Sequence, residues 1–459
     1  MKEDWTDLPQ EKMKAFEETM EAFGQTADPE WFDGNRIDEV AFCACLLEKH
    51  PMRCIRDRLY DIDGRISDDS VKSEIFSYVR PYIKTNVAKN VEKYMGALKL
   101  MAMSEELPIE TDRIHFHNGT YFLRERRFTT DRTFCINRLP VSYRTDAPVP
   151  ATWIWFLNEL LYPEDIPTLQ EFIGYCLIPT NAAQKMLLII GNGGEGKSRL
   201  GKVLRALLGN NMTTSSMQKL ASDRFARADQ EGMLLMLDDD MKMEALPDTN
   251  TLKVIVTLEG KIDLERKGRQ SVQGDLYCRL MGLGNGSLTA LHDRSDGFYR
   301  RQIVLQTRDR DKNRVDDYSL GDKLAAEAEG ILLWALEGLH RLIGNGYRFT
   351  ISERARGNLE DVRRDDNNIL SFLESEGYVR FEERTHATSR QLYEAYRKWC
   401  ADNVEKPLAE RTFTGYLKKN ESKFGISYSQ NIKTQGGKTA RGYNGIHVQT
   451  NTGGFCWPV

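Results

Sequence analysis

Two amphipathic stretches with helical spacing dominate the first 110 residues, Trp5 to Phe23 and Val71 to Ala102. The turn signal Asp61-Ile62-Asp63-Gly64 lies between them. Up to residue 150 the pattern then changes to short alternating segments, in which Asn118-Gly119 predicts a hairpin turn. We therefore expect residues 1–150 to form a mainly helical N-terminal domain with a short hairpin region.

The central part of the chain alternates buried strands with helices, from about residue 182 to residue 310. A helical pattern from Trp153 to Leu161 precedes this block, and residues 321–345 are again strongly helical. Such alternation is typical of a mostly parallel sheet that helices cover on both faces. The pattern predicts an α/β domain over residues 151–345, with helices before and after the block.

The C-terminal part begins with a polar, charged stretch from Ser352 to Asn368, which predicts a linker over residues 346–387. Two amphipathic helices follow, Leu392 to Cys400 and Leu408 to Lys419, and short strand-like stretches come after them. This order outlines a winged helix-turn-helix, a DNA-binding form whose second helix enters a groove. We expect a winged-helix-like domain over residues 388–459.

Composition and charge agree with a folded chain of several domains. Of 459 residues, 40% are hydrophobic and 29% are charged, and the length suggests about three domains. The net charge of −4 conceals an asymmetry. Residues 388–459 hold 11 Lys and Arg against 5 Asp and Glu, so this end carries +6 and the rest carries −10. A basic end on an acidic body indicates an anionic partner, with a solvated face of a structural domain as the alternative.

Location can be inferred from what the sequence lacks. No apolar run approaches the ~20 residues that a bilayer span needs, so no membrane partner is expected. The first residues, Met1 to Trp5, are acidic and lack an apolar signal core. None of the eight cysteines forms a C-x-x-C pair. We expect reduced thiols and a cytoplasmic location.

A glycine-rich segment follows the apolar run Met186 to Ile190 and precedes the helical Arg199 to Leu208. Its sequence, Gly191-Asn192-Gly193-Gly194-Glu195-Gly196-Lys197-Ser198, satisfies the phosphate-binding P-loop pattern. The glycines let backbone N–H groups turn toward a polyphosphate, and the following helix presents its N-terminus to the anion. Lys197 is expected to reach the β- and γ-phosphates of ATP, and Ser198 to offer its hydroxyl to Mg²⁺.

An acidic strand follows about 40 residues later, where the apolar Met233 to Leu237 run into Asp238-Asp239-Asp240. A buried strand that ends in carboxylates delivers them to the sheet edge where nucleotides bind. One Asp is expected to hold Mg²⁺ and the next to accept the proton of the attacking water. From the strand register we assign these roles to Asp239 and Asp240, with Asp238 as the alternative.

A third strand-like segment, Leu276 to Gly284, ends in Asn285, which is well placed to hydrogen-bond the γ-phosphate or the attacking water. Farther along the chain lie Arg300 and Arg301. Paired arginines at this point can give positive charge to the transferring phosphoryl group, often on the nucleotide of a neighbouring subunit. A surface salt bridge is the alternative for each arginine, and the pattern leaves open which of the two acts.

In combination these residues resemble the superfamily 3 helicases, in the branch of phage and plasmid primase-helicases and poxvirus replication proteins. The resemblance extends to residues of about 35–180, which look like the helical domain ahead of the ATPase, and to Gly330–Leu339, which look like the helix after it. The segments occur in the family's order: Gly191–Ser198, Asp239-Asp240, Thr257-Leu258-Glu259-Gly260 with Glu265-Arg266-Lys267, Asn285, and Arg300-Arg301.

The resemblance implies an AAA+-like P-loop core in a hexameric ring that hydrolyses ATP, with Mg²⁺, at subunit interfaces. The ring would draw one strand of single-stranded or forked DNA through its centre. A loop that contacts the strand in the pore would here include Lys267 and Arg269. A separate primase or polymerase is the expected further partner, and the cell would be a bacterial host or a virus-infected cell.

The chain departs from the family pattern in three places. Leu258-Glu259-Gly260 replaces the more usual Gly-Glu after Thr257, and Gly286-Ser287 follows Asn285 where a proline is common. Three consecutive aspartates leave the catalytic pair ambiguous.

Two other functions stay open from the sequence. One is a DNA-binding replication initiator or scaffold whose ATP site controls assembly rather than unwinding. The other is a P-loop ATPase that acts on proteins. Primase activity is not expected, because the roughly 110 residues ahead of the hairpin region are too few for a polymerase domain beside the helical one.

Overall fold

The computed structural model describes residues 28–242, 246, 249–266, 268, 270–285, 296–310, 317–366, 368–433 and 439–449. The predicted amphipathic stretch Trp5 to Phe23 lies outside the described residues. Within them, no helix is both long enough and apolar enough to span a membrane.

From residue 28 onward, an N-terminal unit combines three helices with a small antiparallel sheet that the sequence did not predict. The helices are α1 (Glu39–Lys49), α2 (Asp68–Val79) and α3 (Val87–Met101), and the strands, in sheet order, are β1 (Arg53–Ile55), β2 (Arg58–Asp61) and β3 (Gly64–Arg65). The predicted turn at Asp61–Gly64 joins β2 to β3. These strands are two to four residues long, too short for alternation to show in the sequence.

The amphipathic stretch Val71 to Ala102 divides into α2 and α3. Ser67 caps α2 by accepting a hydrogen bond from Ser70 N at 3.1 Å. The break after α2 contains Pro81, which lacks the N–H donor that would continue the hydrogen bonds of the helix. The buried faces of α1, α2 and α3 meet in one core, formed by Phe42, Leu46, Val71, Ile75, Val79, Tyr94 and Leu98.

The predicted hairpin is present, with His117 and Asn118 between β4 (Arg113–Phe116) and β5 (Gly119–Phe122). With β6 (Arg127–Thr129) and β7 (Arg138–Leu139) it forms a sheet in the order β6-β5-β4-β7. We expected this region to belong with the N-terminal helices, but its apolar side chains pack into the central domain. Ile114, Phe116, Tyr121 and Leu139 share a core with Trp153 and Leu187.

The central domain is built on a parallel sheet, which confirms the predicted α/β core. Its strands are β8 (Met186–Ile190), β9 (Met212–Thr214), β10 (Leu235–Met241), β13 (Arg279–Gly284) and β14 (Gln302–Gln306), and a separate antiparallel pair is formed by β11 (Ile262–Leu264) and β12 (Val272–Gly274). The five parallel strands lie in the order β14-β8-β13-β10-β9. β8 is continuously apolar, as expected for a strand that is buried on both faces, and β10 is apolar until it reaches its aspartates.

Helices cover both faces of this sheet. They are α4 (Ala151–Leu160), α5 (Ile166–Tyr175), α6 (Arg199–Leu208), α7 (Met217–Ser222), α8 (Arg224–Ala228), α9 (Asn250–Thr257), α10 (Asp296–Tyr299), α11 (Leu320–Ala326) and α12 (Ala328–Gly344). In α6 the buried Leu200, Val203, Leu204 and Leu207 recur at helical spacing and face the core.

The stretch that we expected to be a linker forms helix α13 (Glu353–Asp366). Its few apolar residues fall on one face, where Ala355 and Val362 are buried against the central domain. Asn358 Nδ2 also donates to Val304 O of β14 at 3.1 Å. The highly charged composition of the segment concealed this spacing, so the linker prediction is wrong over these residues.

The C-terminal unit begins at residue 368 rather than at 388. Its elements are α14 (Asn368–Glu374), β15 (Val379–Thr388), α15 (Ser389–Asp402), α16 (Glu410–Lys419), α17 (Glu421–Phe424), β16 (Ser427–Lys433) and β17 (Thr439–Val448). The strands form an antiparallel sheet in the order β15-β17-β16. Ile369 and Phe372 are buried with Trp399 and Phe413, so α14 is part of this unit's core. Helices α15 and α16 correspond to the two predicted amphipathic helices.

Candidate nucleotide-binding site

Three neighbouring strands bring distant segments of the chain to one edge of the central sheet. β8 pairs with β13, and β13 pairs with β10, all in parallel. Because parallel strands end at the same edge, residues 191–198 after β8, the acidic end of β10, and Asn285 after β13 converge there. Together they line a cavity of about 540 Å³.

The loop of residues 191–198 leads directly into α6. Gly193 and Gly196 have φ angles of +101° and +103°, in the left-handed region that glycine adopts readily. A loop of this conformation ahead of a helix N-terminus is the arrangement that binds phosphate in P-loop proteins.

Lys197 lies inside this loop and contacts both Glu195 and Asn285. Its Nζ donates to Glu195 Oε2 at 2.8 Å and to Asn285 Oδ1 at 3.2 Å. The exposed fractions are 8% for Lys197 and 3% for Glu195. Burial raises the pKa of Glu195, but the hydrogen bonds from Lys197 and from backbone amides lower it more, and the resulting pKa lies below the ordinary value. Glu195 is therefore a carboxylate at neutral pH.

Ser198 hydrogen-bonds to the carboxylate of Asp239, and Asp240 lies beside it at the cavity wall. Burial raises the pKa of Asp239; the hydrogen bond from Ser198 opposes this, and the charge of Asp240 adds to it. A hydroxyl and adjacent carboxylates are hard oxygen ligands, which Mg²⁺ takes together with phosphate oxygens and water. The residues at this position fit a magnesium ion.

Asp238 has a different environment from the two aspartates that follow it. It is buried, and its Oδ2 accepts a hydrogen bond from Met217 N at 2.7 Å, at the start of α7. Burial raises the pKa of Asp238, and the backbone hydrogen bond opposes that shift. Asp239 and Asp240 are thus the two aspartates that line the cavity, while Asp238 supports the helix packed beside it.

Arg300 and Arg301 lie at the opposite edge of the sheet. They precede β14, and the backbone of Arg301 accepts a hydrogen bond from Met186 N at 2.8 Å, at the start of β8. β14 is in register with β8 over five residues, which at about 3.3 Å per residue spans about 16 Å. The structure therefore does not bring the two arginines to the Lys197 cavity of the same chain. Arg300 is exposed.

Several residues that sequence analysis did not identify also line the cavity. They are Arg199, Lys202, Arg310 and Tyr318. Tyr318 is 93% exposed, and the turn that carries it is held by Arg199 Nη2, which donates to Asp317 O at 3.2 Å. Asn192, at the outer side of the loop, donates from Nδ2 to Asp309 Oδ1 at 3.0 Å. Arg310 and Tyr318 come after β14, and the fact that this strand ends at the cavity edge is the one feature of the sequence that could have indicated them.

Lys267 and Arg269, the residues expected to contact a nucleic-acid strand, lie outside the described residues. The flanking strands β11 and β12 pair antiparallel, with Ile262 opposite Gly274. Arg266, just after β11, contacts Glu231. The base of this loop is therefore held against the central domain.

Family models match three successive parts of the chain. "D5 N terminal like" matches residues 14–172, a "Family of unknown function (DUF5906)" matches residues 189–301, and "Poxvirus D5 protein-like" matches residues 364–452. The chain is thus similar to D5-like proteins over its N-terminal and C-terminal parts, in agreement with the resemblance to the D5-like branch of the superfamily 3 helicases. The D5-like matches support, at a general level, an ATPase of the helicase type with a role in DNA replication.

Solved structures with some similarity to this D5-like chain include the C-terminal region of NrS-1, at 12% identity and a TM-score of 0.49, covering 89% of this chain and 99% of that one. A JCV helicase structure is 15% identical with a TM-score of 0.28, covering 50% of this chain and 61% of that one. Values this low carry no inference about function, so the assignment depends on the family models. No match was found among curated proteins.

Proposed function

We propose that this D5-like chain is an ATP-dependent DNA helicase or translocase in the replication of a phage, plasmid or integrated mobile element, and that ATP is hydrolysed between the subunits of a hexameric ring. The proposal depends on one observation, which is that the candidate catalytic residues lie at two opposite edges of the central sheet. Lys197, Ser198, Asp239 and Asn285 meet at one edge of the sheet, and Arg300 and Arg301 lie at the other.

Each residue at the cavity edge has a chemical role under this proposal. The N–H groups of the loop and Lys197 bind the phosphates, and Ser198 and Asp239 hold Mg²⁺. The ion, when bound, neutralises charge on the phosphate oxygens. Asp240 accepts the proton of the attacking water, and Asn285 orients that water or the γ-phosphate.

Arg300 and Arg301 are too far from the cavity of their own chain to act there, so under this proposal they act on the nucleotide of a second subunit. A positive charge about 16 Å from the loop cannot stabilise the phosphoryl group of its own site, since Coulomb attraction at this distance is weak and screened. Packing the Arg300–Arg301 edge of one subunit against the cavity of the next would complete the site. Repetition of such a head-to-tail contact closes a ring when the rotations between successive subunits add up to a full turn.

The C-terminal unit supports DNA as the polymer on which the ATPase acts. Phe413 and Leu417 of α16 are buried in its core, and Arg411 and Lys418 are exposed on the other side of this helix. Exposed Lys423, Lys433 and Arg441 add to the positive surface. A helix with one packed face and one basic face is suited to binding a nucleic-acid groove.

Lys267 and Arg269 are proposed to contact the strand in the pore.

Mixing two inactive variants tests the shared site. Lys197→Ala and an Arg300→Ala/Arg301→Ala double variant should each lose ATP hydrolysis, and the arginine variant should still bind nucleotide. Mixed rings would contain interfaces with an intact Lys197 on one subunit and intact arginines on its neighbour, so hydrolysis should return in part. No recovery on mixing, with both proteins folded and co-assembled, would contradict hydrolysis between subunits.

DNA experiments separate the proposal from the two alternatives. A helicase should show hydrolysis that single-stranded DNA stimulates, and it should displace an annealed oligonucleotide from a fork. Sequence-specific duplex binding with negligible unwinding would instead favour an initiator or scaffold. Hydrolysis that is insensitive to DNA would favour an ATPase that acts on proteins.

A further inference from the structure

The carboxylate of Glu195 contacts, inside the loop of residues 191–198, the same kinds of donor that a phosphate group needs. Its Oε1 accepts a hydrogen bond from Gly193 N at 2.7 Å, and its Oε2 accepts one from Lys197 Nζ at 2.8 Å. Backbone N–H groups and the lysine ammonium are the donors that bind a polyphosphate at a P-loop. Both oxygens of Glu195 are thus engaged with phosphate-binding groups.

This ion pair is enclosed by the loop rather than extended into solvent. A Cβ atom placed on Gly191 would lie 2.8 Å from Glu195 Oε1 and 3.0 Å from Lys197 Nζ. The pair is therefore packed directly against the backbone at the start of the loop. Glu195 and Lys197 also both line the 540 Å³ cavity, so a ligand that enters it meets them together.

Two anions cannot use these donors at the same time without repulsion. A phosphate that approaches Lys197 meets an ammonium whose charge is already neutralised by Glu195, and it meets the negative carboxylate at close range. Arg199, Lys202 and Arg310 bring positive charge to the cavity and favour entry of an anion. Full contact with the loop still requires that the Glu195 carboxylate move away from Lys197.

We propose that Glu195 is an internal competitor of the nucleotide phosphates, an inference that rests on the proposed function of this site. When no nucleotide is bound, Glu195 accepts the hydrogen bonds of Lys197 Nζ and Gly193 N. It leaves them when ATP binds, and it returns to them as the product departs. Glu195 therefore weakens nucleotide binding and speeds product release, which favours repeated turnover over tight retention of ADP.

Binding measurements on the full chain test this role. A fluorescent ADP analogue and inorganic tripolyphosphate are titrated into the wild type, Glu195→Gln and Glu195→Ala. Glutamine keeps the size of the side chain and removes its charge, and alanine removes the competing group entirely. Both variants should bind both probes about tenfold more tightly. Most of the change should appear as slower release of the ADP analogue in a displacement experiment.

Asp309→Asn is the matched control. Asp309 also carries one negative charge at this loop, but it is exposed and its Oδ1 accepts a hydrogen bond from Asn192 rather than holding the lysine. Solvent screens a charge in this position, so the control should change both dissociation constants by less than about twofold. Equal tightening in Asp309→Asn and Glu195→Gln would show a general charge effect and would overturn the competitor role.

The other outcomes decide between this inference and the function on which it rests. Unchanged or weaker binding by Glu195→Gln and Glu195→Ala, with melting temperatures like that of the wild type, would show that Glu195 orients Lys197 for phosphate and would overturn the proposal. If the folded wild type binds neither the ADP analogue nor tripolyphosphate, the nucleotide site itself is wrong. Tighter binding by both glutamate variants with an unaffected control supports the proposal.

Discussion

Glu231 Oε1 accepts a hydrogen bond from Arg56 Nη1 at 2.8 Å, and this contact ties the N-terminal unit to the central domain. Glu231 also pairs with Arg58 of β2 and with Arg266, which follows β11. Arg58 Nη1 donates in addition to the backbone oxygen of Glu231 at 2.5 Å. One buried carboxylate therefore holds three arginines from two separate parts of the chain.

Glu231→Ala should destabilise the protein, because it leaves three arginines at a largely buried position without their shared counter-charge. Since Arg56 is partly exposed, we expect a loss of about 2 kcal/mol in the free energy of unfolding, below the full effect of a buried pair. Urea unfolding of the wild type and the variant measures this loss. The control is Glu92→Gln, which breaks the exposed pair of Lys72 and Glu92 and should change stability by less than about 0.5 kcal/mol. Equal effects of the two changes would contradict a structural role for Glu231.

Gly174→Ala should destabilise the contact between α5 and α12. A Cβ on Gly174 would lie 2.3 Å from Ala335 O and 2.9 Å from Leu339 Cβ, so the two helices would have to separate. We expect a loss of about 2 kcal/mol despite the gain in helix propensity. Gly344→Ala, at the end of α12, meets nothing within 4 Å and should be neutral or slightly stabilising. Thermal unfolding compares the melting temperatures of the two variants. An unchanged melting temperature of Gly174→Ala would show that the two helices can move apart at no cost.

Asp239→Asn and Asp238→Ala should have opposite effects: the first should mainly lower ATP hydrolysis, and the second should mainly lower stability. Asp239→Asn removes the carboxylate beside Ser198, so ATP hydrolysis should fall at least about 100-fold with little change in unfolding free energy. Asp238→Ala deprives Met217 N of its acceptor in a buried position and should lower stability by about 1–2 kcal/mol. Parallel hydrolysis and unfolding assays on both variants provide the check. The reverse pattern would assign the metal to Asp238.

His50→Gln should reduce stability in a pH-dependent manner. His50 Nδ1 lies 2.9 Å from Glu74 Oε2, and Nε2 lies 3.1 Å from Asp61 Oδ2. Burial lowers the pKa of His50, but the two carboxylates raise it more, and the folded-state pKa lies above the unfolded one. The protonated ring therefore stabilises the fold fully below the unfolded-state pKa of about 6.5, and this contribution disappears as pH rises through the folded-state value.

The melting temperatures of wild type and His50→Gln should accordingly differ more at about pH 5.5 than at about pH 8.5. The surface substitution His117→Gln, scanned in the same buffers, corrects for any general effect of removing a histidine. A gap that widens toward high pH would contradict the sign of this linkage.

The convergence of Lys197, Asp239 and Asn285 could be predicted because each lies at or after the carboxyl end of a recognisable buried strand. Once the strands are taken as parallel, their carboxyl ends must share one edge, and no further information is needed to place the three side chains near one another. Arg310 and Tyr318 could not be found in this way. Their presence at the cavity depends on the path of the chain after β14, which local spacing does not encode.

Tertiary packing overrode a weak local signal in two segments where the structure differs from the prediction. A helix that packs against the edge of a sheet needs only about one apolar residue per turn to be held there. The stretch around Asn358 is such a helix, and its mostly charged sequence therefore resembled a linker. Phe116 and Tyr121 are buried against the central domain, although the chain around them is contiguous with the N-terminal helices. Burial partners of this kind are not visible in the order of residues alone.

Helix α13 ends at Asp366, and α14, the first element of the C-terminal unit, begins at Asn368. α13 lies along the outermost strand of the sheet, where Asn358 donates to Val304 of β14. One strand therefore follows directly after Arg300 and Arg301 and also packs against the helix that leads to the C-terminal unit.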